Sequence, residues 1–225
     1  MTPPPLPWSL GIQNTRRRHA MLLYLSARSP NPRRVQFFLA EKGIEVPVEM
    51  VDLAAKAHWS EDFRKISPRR TVPVLVLDDG TAVSETIAIC RYFEAVQPEP
   101  NLFGRDAREI AVVEMWQRRA EIELMQAVQF AFRHVHPALA EREVPQVKEW
   151  GEANKTKVLD FLTFLDGELA TRAYLAGDRF TVADITAIVA IDFMKVARIT
   201  APEELVNLAR WRAEVSARPA AKAGA

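Results

Sequence analysis

The hydrophobic pattern changes period near residue 100, and that change limits the fold more than any single motif does. Before it, short apolar runs alternate with single helical patterns. Residues 21–26 form a brief apolar run, residues 32–41 carry helical spacing closed by Gly43, and residues 45–53 alternate as a strand. Residues 60–66 suit a short helix stopped by Ser67-Pro68. Two further strand patterns, 72–77 and 81–83, flank Asp78-Asp79-Gly80, a hairpin turn signal. Residues 84–96 return to helical spacing, and Pro98 and Pro100 end the unit. A βαβ unit followed by ββα, over residues 21–100, predicts one small α/β domain.

Beyond Pro100 the strand signals vanish. Residues 106–135, 145–169, 181–196 and 202–217 each read as a helix, joined by turns that contain Pro and Gly. Helices of that length predict an all-α bundle over residues 106–220, with 97–105 as the linker. The first 20 residues are Pro-rich and then Arg-rich, without an apolar h-region or a small-residue cleavage site. They read as a disordered tail outside the fold, with an Arg-rich, acid-free targeting segment as the lesser reading and Met21 an alternative start.

Charge and cysteine usage exclude several classes of function. Lys plus Arg number 30 against 29 for Asp plus Glu, which lacks the basic excess that nucleic acid or an acidic membrane requires. No apolar run approaches the roughly 20 residues that span a bilayer. The single cysteine, Cys90, has no internal partner, so a reducing cytoplasm is the expected compartment. His134 and His136 stand two apart, point to different helix faces and have no Cys or carboxylate cluster beside them, so no metal site is expected.

The stretch SARSPNPRRV, residues 26–35, is where the chemistry concentrates. It hands the first strand over to the first helix, and it puts a hydroxyl (Ser29), an amide (Asn31) and a helix N-terminus at one point. Such a point favours an anion, because backbone N–H groups and the positive helix end converge there. Ser and Asn also commonly cap helices, and on the residues alone both readings stand. No cysteine lies in the turn, which disfavours disulfide exchange through a protein thiol.

Four stretches in this order resemble the soluble glutathione transferases over residues 21–220. They are Ser29-Pro30-Asn31-Pro32-Arg33-Arg34-Val35, Thr71-Val72-Pro73, Ser84-Glu85-Thr86-Ile87-Ala88-Ile89, and Gly177-Asp178-Arg179-Phe180-Thr181-Val182-Ala183-Asp184. The resemblance implies a thioredoxin-like α/β N-terminal domain followed by the all-α helical bundle. It implies glutathione as co-substrate, no metal, a small-molecule electrophile as the partner substrate, a detoxification role and a homodimer. The thiolate of glutathione is the nucleophile in such an enzyme, and a free thiol is only a few per cent ionised at neutral pH.

By the same resemblance, Ser29 and Asn31 are the catalytic donors that hold the sulfur negative. Which of them activates the thiol stays open, with a water or Tyr24 in the first strand as the other choices. Pro73 is expected to be cis, exposing the Val72 backbone to pair with the extended tripeptide; a trans proline at a strand start is the plain alternative. Glu85 and Thr86 would take the γ-glutamyl ammonium and carboxylate, Thr86 standing where the family more often has Ser. His58 and Arg70 would take the glycyl carboxylate. Trp116, Arg119 and His134 would line the electrophile pocket, although a stripe such as Trp116, Arg119, Glu123 and Ala127 also reads as core or subunit interface. Residues 181–184 fit a capping box with Asp in place of Glu. Some branches of the family reduce peroxides or disulfides through glutathione, an activity that could accompany conjugation here. The rival from another class is a non-catalytic binding or regulatory module on the same fold, which would have no need of a glutathione cradle.

Overall fold

The computed structural model describes residues 21–225; the tail reading for residues 1–20 lies outside the described residues. A four-stranded mixed sheet comes first, with spatial order β2-β1-β3-β4. Strand β1 (Leu22–Leu25) buries Leu23 and Leu25 and leaves Leu22 and Tyr24 half-buried, the alternation a two-faced strand requires. Helix α1 (Pro30–Lys42) then crosses to β2 (Val48–Met50), which lies parallel to β1 with Leu23 opposite Val48. β2 is shorter than the alternation over 45–53 predicts. Asp52 ends it, because its Oδ1 accepts from the N–H groups of Ala54 and Ala55 at 2.8 and 2.9 Å and turns the chain.

A 3₁₀ turn (Ala57–Trp59) and helix α2 (Glu61–Ile66) lead to the hairpin β3 (Val74–Val76) and β4 (Ala82–Ser84). β3 is antiparallel to both β1 and β4. Helix α3 (Thr86–Val96) starts two residues later than its pattern predicts, because Ser84 is still paired with Val74 in the sheet. Helix α1 begins two residues earlier than predicted: Pro30 sits at its first position, where a missing N–H costs nothing.

The predicted long helix over 106–135 is one helical run with a wide turn inside it. Helix α4 (Ala107–Arg119) passes through a π-helical segment, Ala120–Met125, into α5 (Gln126–Val135). Helix α6 (Lys148–Leu169) packs along α5, and α7 (Val182–Phe193) and α8 (Val206–Ser216) complete the bundle. Every residue from 182 to 191 is buried, so α7 is a core helix covered on all sides by α1, α4, the π segment and α8.

Asp184 fixes the start of α7. Its carboxylate accepts from the N–H and hydroxyl of Thr181 at 2.9 and 3.1 Å, from Leu175 N–H at 3.0 Å and from Trp211 Nε1–H at 2.9 Å, while fully buried. The capping box predicted from the sequence is present, and its acid also ties two more segments to the helix. Residues 97–105, read as linker, are pinned to both halves. Glu94 accepts from Leu102 N–H, Arg179 grips Asn101, and Leu102 and Phe103 are buried. Gly104, at φ +107°, brings its backbone so close to α4 that a Cβ there would lie 2.5 Å from Ile110 N.

Candidate functional site

A cleft of about 940 Å³ opens where the N-terminus of α1 and the turn before β3 face α5, the segment after it and the end of α7. Ser29, Asn31, His58, Arg70 and Val72 all line it. The Val72–Pro73 bond is cis, and Pro73 is buried beneath the turn. Ser67 holds that turn: its hydroxyl donates to Thr71 O at 3.0 Å and accepts from Thr71 N–H at 3.1 Å.

The Ser29 side chain does not cap α1, so the plain capping reading of that residue falls. Its Oγ accepts instead from the hydroxyl of Ser26, 2.8 Å away and buried at the end of β1. The Ser29 hydrogen is then left with only the carbonyl of Ala27, at 3.5 Å, inside the protein. A hydroxyl in that position has its proton to give to a ligand. Asn31 is held by its oxygen: Oδ1 accepts from Arg34 Nη1 and from Gln129 Nε2, both at 3.4 Å. The amide N–H₂ of Asn31 therefore faces away from two cationic or amide donors, and it makes no hydrogen bond among the described residues. No acidic residue stands in the first turn of α1, so the positive end of the helix is uncompensated.

Arg34 joins the two halves of the molecule beneath this point. It is buried, its Nε donates to Thr186 Oγ1 at 3.2 Å, and its Nη2 meets Glu121 Oε1 at 2.9 Å. Glu121 stands in the π-helical segment, a departure from regular helix of the kind that recurs at functional sites.

Two buried nitrogens of residues that line the cleft are unpartnered. Among the described residues, His58 Nδ1 and Arg70 Nε make no hydrogen bond, and Arg70 lies over the Trp59 ring at 4.7 Å. Burial holds the His58 pKa below its ordinary value, and the nearby charges of Arg142 and Arg70 lower it further. Buried polar atoms are seldom left unsatisfied, and a pair of them beside a cleft suits an anionic ligand group. Glu85 and Thr86 are not among the residues that line the cleft. Glu85 is exposed with φ +73°, a conformation that costs a non-glycine residue roughly 1–3 kcal/mol. Thr86 is buried as the first residue of α3.

The three residues expected at the electrophile pocket lie elsewhere. Trp116 is a core side chain stacked on Phe164 at 5.9 Å, and the guanidinium of Arg119 lies over Trp116 at 5.0 Å. His134 accepts from Val147 N–H through Nδ1 at 3.0 Å and faces Glu143 through Nε2 at 3.5 Å, which commits it to the entry of α6. The helical side of the cleft is lined instead by Gln129, Phe132, Arg133, Leu139, Arg142, Phe193 and Val196. Tyr24 packs edge-on against Phe63 and is not a lining residue. Cys90 is buried in the core, and burial pushes its thiol up to about 12, which leaves it no nucleophilic role. Among the described residues, no group of three or more His, Cys, Asp or Glu is placed to hold a metal ion, and no helix is long and apolar enough to cross a membrane.

A thioredoxin-like sheet joined to a helical bundle, with a small-donor turn at the cleft between them, defines a glutathione transferase. Residues 28–96 match the family model of the glutathione S-transferase N-terminal domain, and residues 120–219 that of the C-terminal domain. The chain is 37% identical over 208 residues to Glutathione S-transferase 2 of Saccharomyces cerevisiae, covering 91% of this chain and 89% of the yeast protein. Among solved structures it is similar to a glutathione S-transferase domain-containing protein of Marinobacter aquaeolei VT8, with 41% identity, a TM-score of 0.85, and coverage of 88% of this chain and 98% of that one. A class Gtt2 glutathione S-transferase of Vibrio parahaemolyticus gives 38% identity and a TM-score of 0.80, over 90% and 96% of the two chains. The chain belongs to the glutathione S-transferase family, and its activity is that of a glutathione transferase.

Proposed function

We propose that this enzyme holds the glutathione thiolate against the N-terminus of α1 and adds it to an electrophilic carbon of a small molecule seated under the helical bundle. The observation that carries the reading is a pair of available donors, the Ser29 hydroxyl with only a 3.5 Å contact to Ala27 O and the Asn31 amide, at a positive helix end that lines a cleft of about 940 Å³. Hydrogen bonds to the charged form and the helix field both favour thiolate over thiol. Once ionised, the sulfur attacks the electrophile held beside it, and proximity together with charge stabilisation supplies the rate.

The peptide arms of glutathione follow from the remaining surfaces. His58 and Arg70 take the glycyl carboxylate with their unpartnered nitrogens. The Val72 backbone pairs with the cysteinyl segment, and Glu85 with Thr86 at the start of α3 takes the γ-glutamyl group. Conjugation is the principal reaction, with reduction of peroxides or mixed disulfides through glutathione as a side activity in a detoxifying enzyme.

A homodimer in the cytoplasm completes the proposal. The buried thiol of Cys90 suits a reducing compartment, and the half-exposed Met115, Ile122, Trp150 and Phe164 give α4, the π segment and α6 an apolar surface of the kind subunits cover. Sedimentation at micromolar concentration tests the dimer.

The function is tested by retention on immobilised glutathione together with one panel of aryl halide conjugation, peroxide reduction and mixed-disulfide reduction. The expected result is retention of the native chain, weaker retention of Glu85→Ala, and the highest turnover with the aryl halide. Equal behaviour of the native chain and Glu85→Ala, with no turnover of any substrate, overturns it.

A further inference from the structure

The charge of the cleft is lopsided in a way that glutathione alone does not use up. Among the described residues, six arginines and one histidine line it, and no Asp or Glu does. The chain as a whole is nearly neutral at +1, so this is a local concentration of positive charge and not a reflection of bulk composition. Among the described residues, Arg28, Arg69, Arg70, Arg133 and Arg142 form no ion pair with any carboxylate, whereas other arginines such as Arg33, Arg34 and Arg218 do. Resting on the glutathione assignment above, the two carboxylates of the tripeptide engage Thr86 and the His58–Arg70 pair. Arg133 and Arg142 are then left without a counter-charge.

These two arginines belong to the helical side of the cleft, which the second substrate must occupy. Arg133 is in α5, and Arg142 follows the 3₁₀ turn after it. Phe132 and Phe193 form the wall beside them, meeting edge-on with ring centres 5.3 Å apart, and Leu139 and Val196 extend it. Arg142 also lies near enough to His58 to oppose its protonation, second to burial. An apolar wall rimmed by cations with no acid selects a ligand that is apolar in body and negative at one end.

We infer that the preferred electrophile carries a negative charge, a carboxylate on an aromatic or other apolar body, and that Arg133 and Arg142 recognise it. With an aryl chloride as the example, the glutathione sulfur forms a C–S bond at the ring carbon that bears chlorine. The C–Cl bond then breaks, chloride leaves with the bonding electron pair, and the thiol proton has already passed to solvent. No oxidant or further reactant is needed. The arginines hold the carboxylate at the far end of the ring and take no part in bond making.

The test uses a matched pair of aryl chlorides. One is a chloronitrobenzoate with the nitro group ortho and the carboxylate para to chlorine; the other is its methyl ester. For each, kcat/KM is divided by the rate constant of the uncatalysed reaction with glutathione, which removes intrinsic reactivity. The native enzyme is expected to favour the acid over the ester by about tenfold, the low end of electrostatic steering, and the preference should shrink with added salt. In Arg133→Gln/Arg142→Gln the ratio should fall to near unity because the rate with the acid drops, with the thermal midpoint unchanged. Conjugation of the ester with no preference for the acid, or a ratio that survives the double substitution, overturns the inference and leaves the transferase reading intact. If neither compound is conjugated, this inference falls, and the substrate panel above decides the transferase reading separately.

Discussion

Ser26 donates its hydroxyl hydrogen to Ser29 Oγ across 2.8 Å, one serine sealed at the end of β1 and the other at the mouth of the cleft. The bond occupies a lone pair of Ser29 and leaves its own hydrogen to point at a ligand. Removing a hydrogen bond to an ionised group is worth roughly 1.5–3 kcal/mol, so Ser29→Ala should raise the pKa of bound glutathione by about one to two pH units. Ser26→Ala should raise it by less, and should add nothing in the Ser29→Ala background, because it acts only through Ser29. Titration of thiolate absorbance in the binary complex reads both effects. The acid limb of kcat/KM should move to higher pH in step. Additive effects of the two substitutions would show that Ser26 works by another route.

Asn31 gives a sharper separation of chemistry from stability. Replacing it with Asp keeps an oxygen for Arg34 and Gln129 to bond, and even strengthens the contact with Arg34. The substitution removes the N–H₂ donor and puts a second negative charge beside the sulfur. Asn31→Asp is therefore expected to unfold at the same temperature as the native chain or above it, while kcat/KM falls by about a hundredfold, the usual consequence of losing a preorganised donor. Loss of stability in parallel with loss of rate would mean that Asn31 serves the fold.

What a local stretch of this chain dictates and what only its fold decides separate along a physical line. Local signals were legible: the α1 turn, the Gly43 stop, the Asp-Asp-Gly hairpin and the Thr181–Asp184 box depend on residues within a few positions of one another, and the structure has each of them. Gln129 was not legible, since its partner Asn31 lies 98 residues away and nothing in a helical QAVQFAF pattern marks one glutamine as a reader of another domain. Ser26 looked like the end of a strand because its role depends on the rotamer of a neighbour. Arg34 offered one signal, a charge three and four residues before Phe37 and Phe38 and so on the same helix face as those apolar residues, where burial is costly unless the charge is paired. Trp116, Arg119 and His134 misled for the opposite reason. Helical spacing showed that Trp116 and Arg119 share a face, and it carried no information on which neighbour, Phe164 or a substrate, that face would meet.

Glu85 holds a positive φ that few side chains adopt, at the residue just before α3. A backbone kept there against its preference is maintained for something other than stability. Glu85→Gly removes the conformational penalty together with the carboxylate. The chain should gain roughly 1 kcal/mol against denaturant, while its affinity for glutathione falls by tenfold or more as the ammonium contact is lost. Denaturant midpoints and calorimetric binding give the two numbers independently. A variant that is both more stable and equally tight would remove Glu85 from the glutathione site.

His58 links the cleft to pH. Burial, with Arg142 and Arg70 adding to it, lowers the pKa of its imidazole in the free protein. Between that lowered value and about 6.5, the unfolded chain holds a proton that the folded chain does not. The contribution of His58 to stability is therefore complete above about pH 6.5 and is lost as pH falls toward the folded value; His58→Gln should flatten that part of the profile. Binding reverses the direction. The glycyl carboxylate of glutathione, placed against the unpartnered Nδ1, favours the charged imidazole and raises its pKa, so the complex takes up a proton and affinity declines as pH rises through the interval between the free and bound values. Calorimetry in buffers of different ionisation enthalpy measures that uptake directly. The native enzyme should show it in the interval between the free and bound values, and His58→Gln should not; an equal uptake in both would place the proton on another group and the carboxylate away from His58.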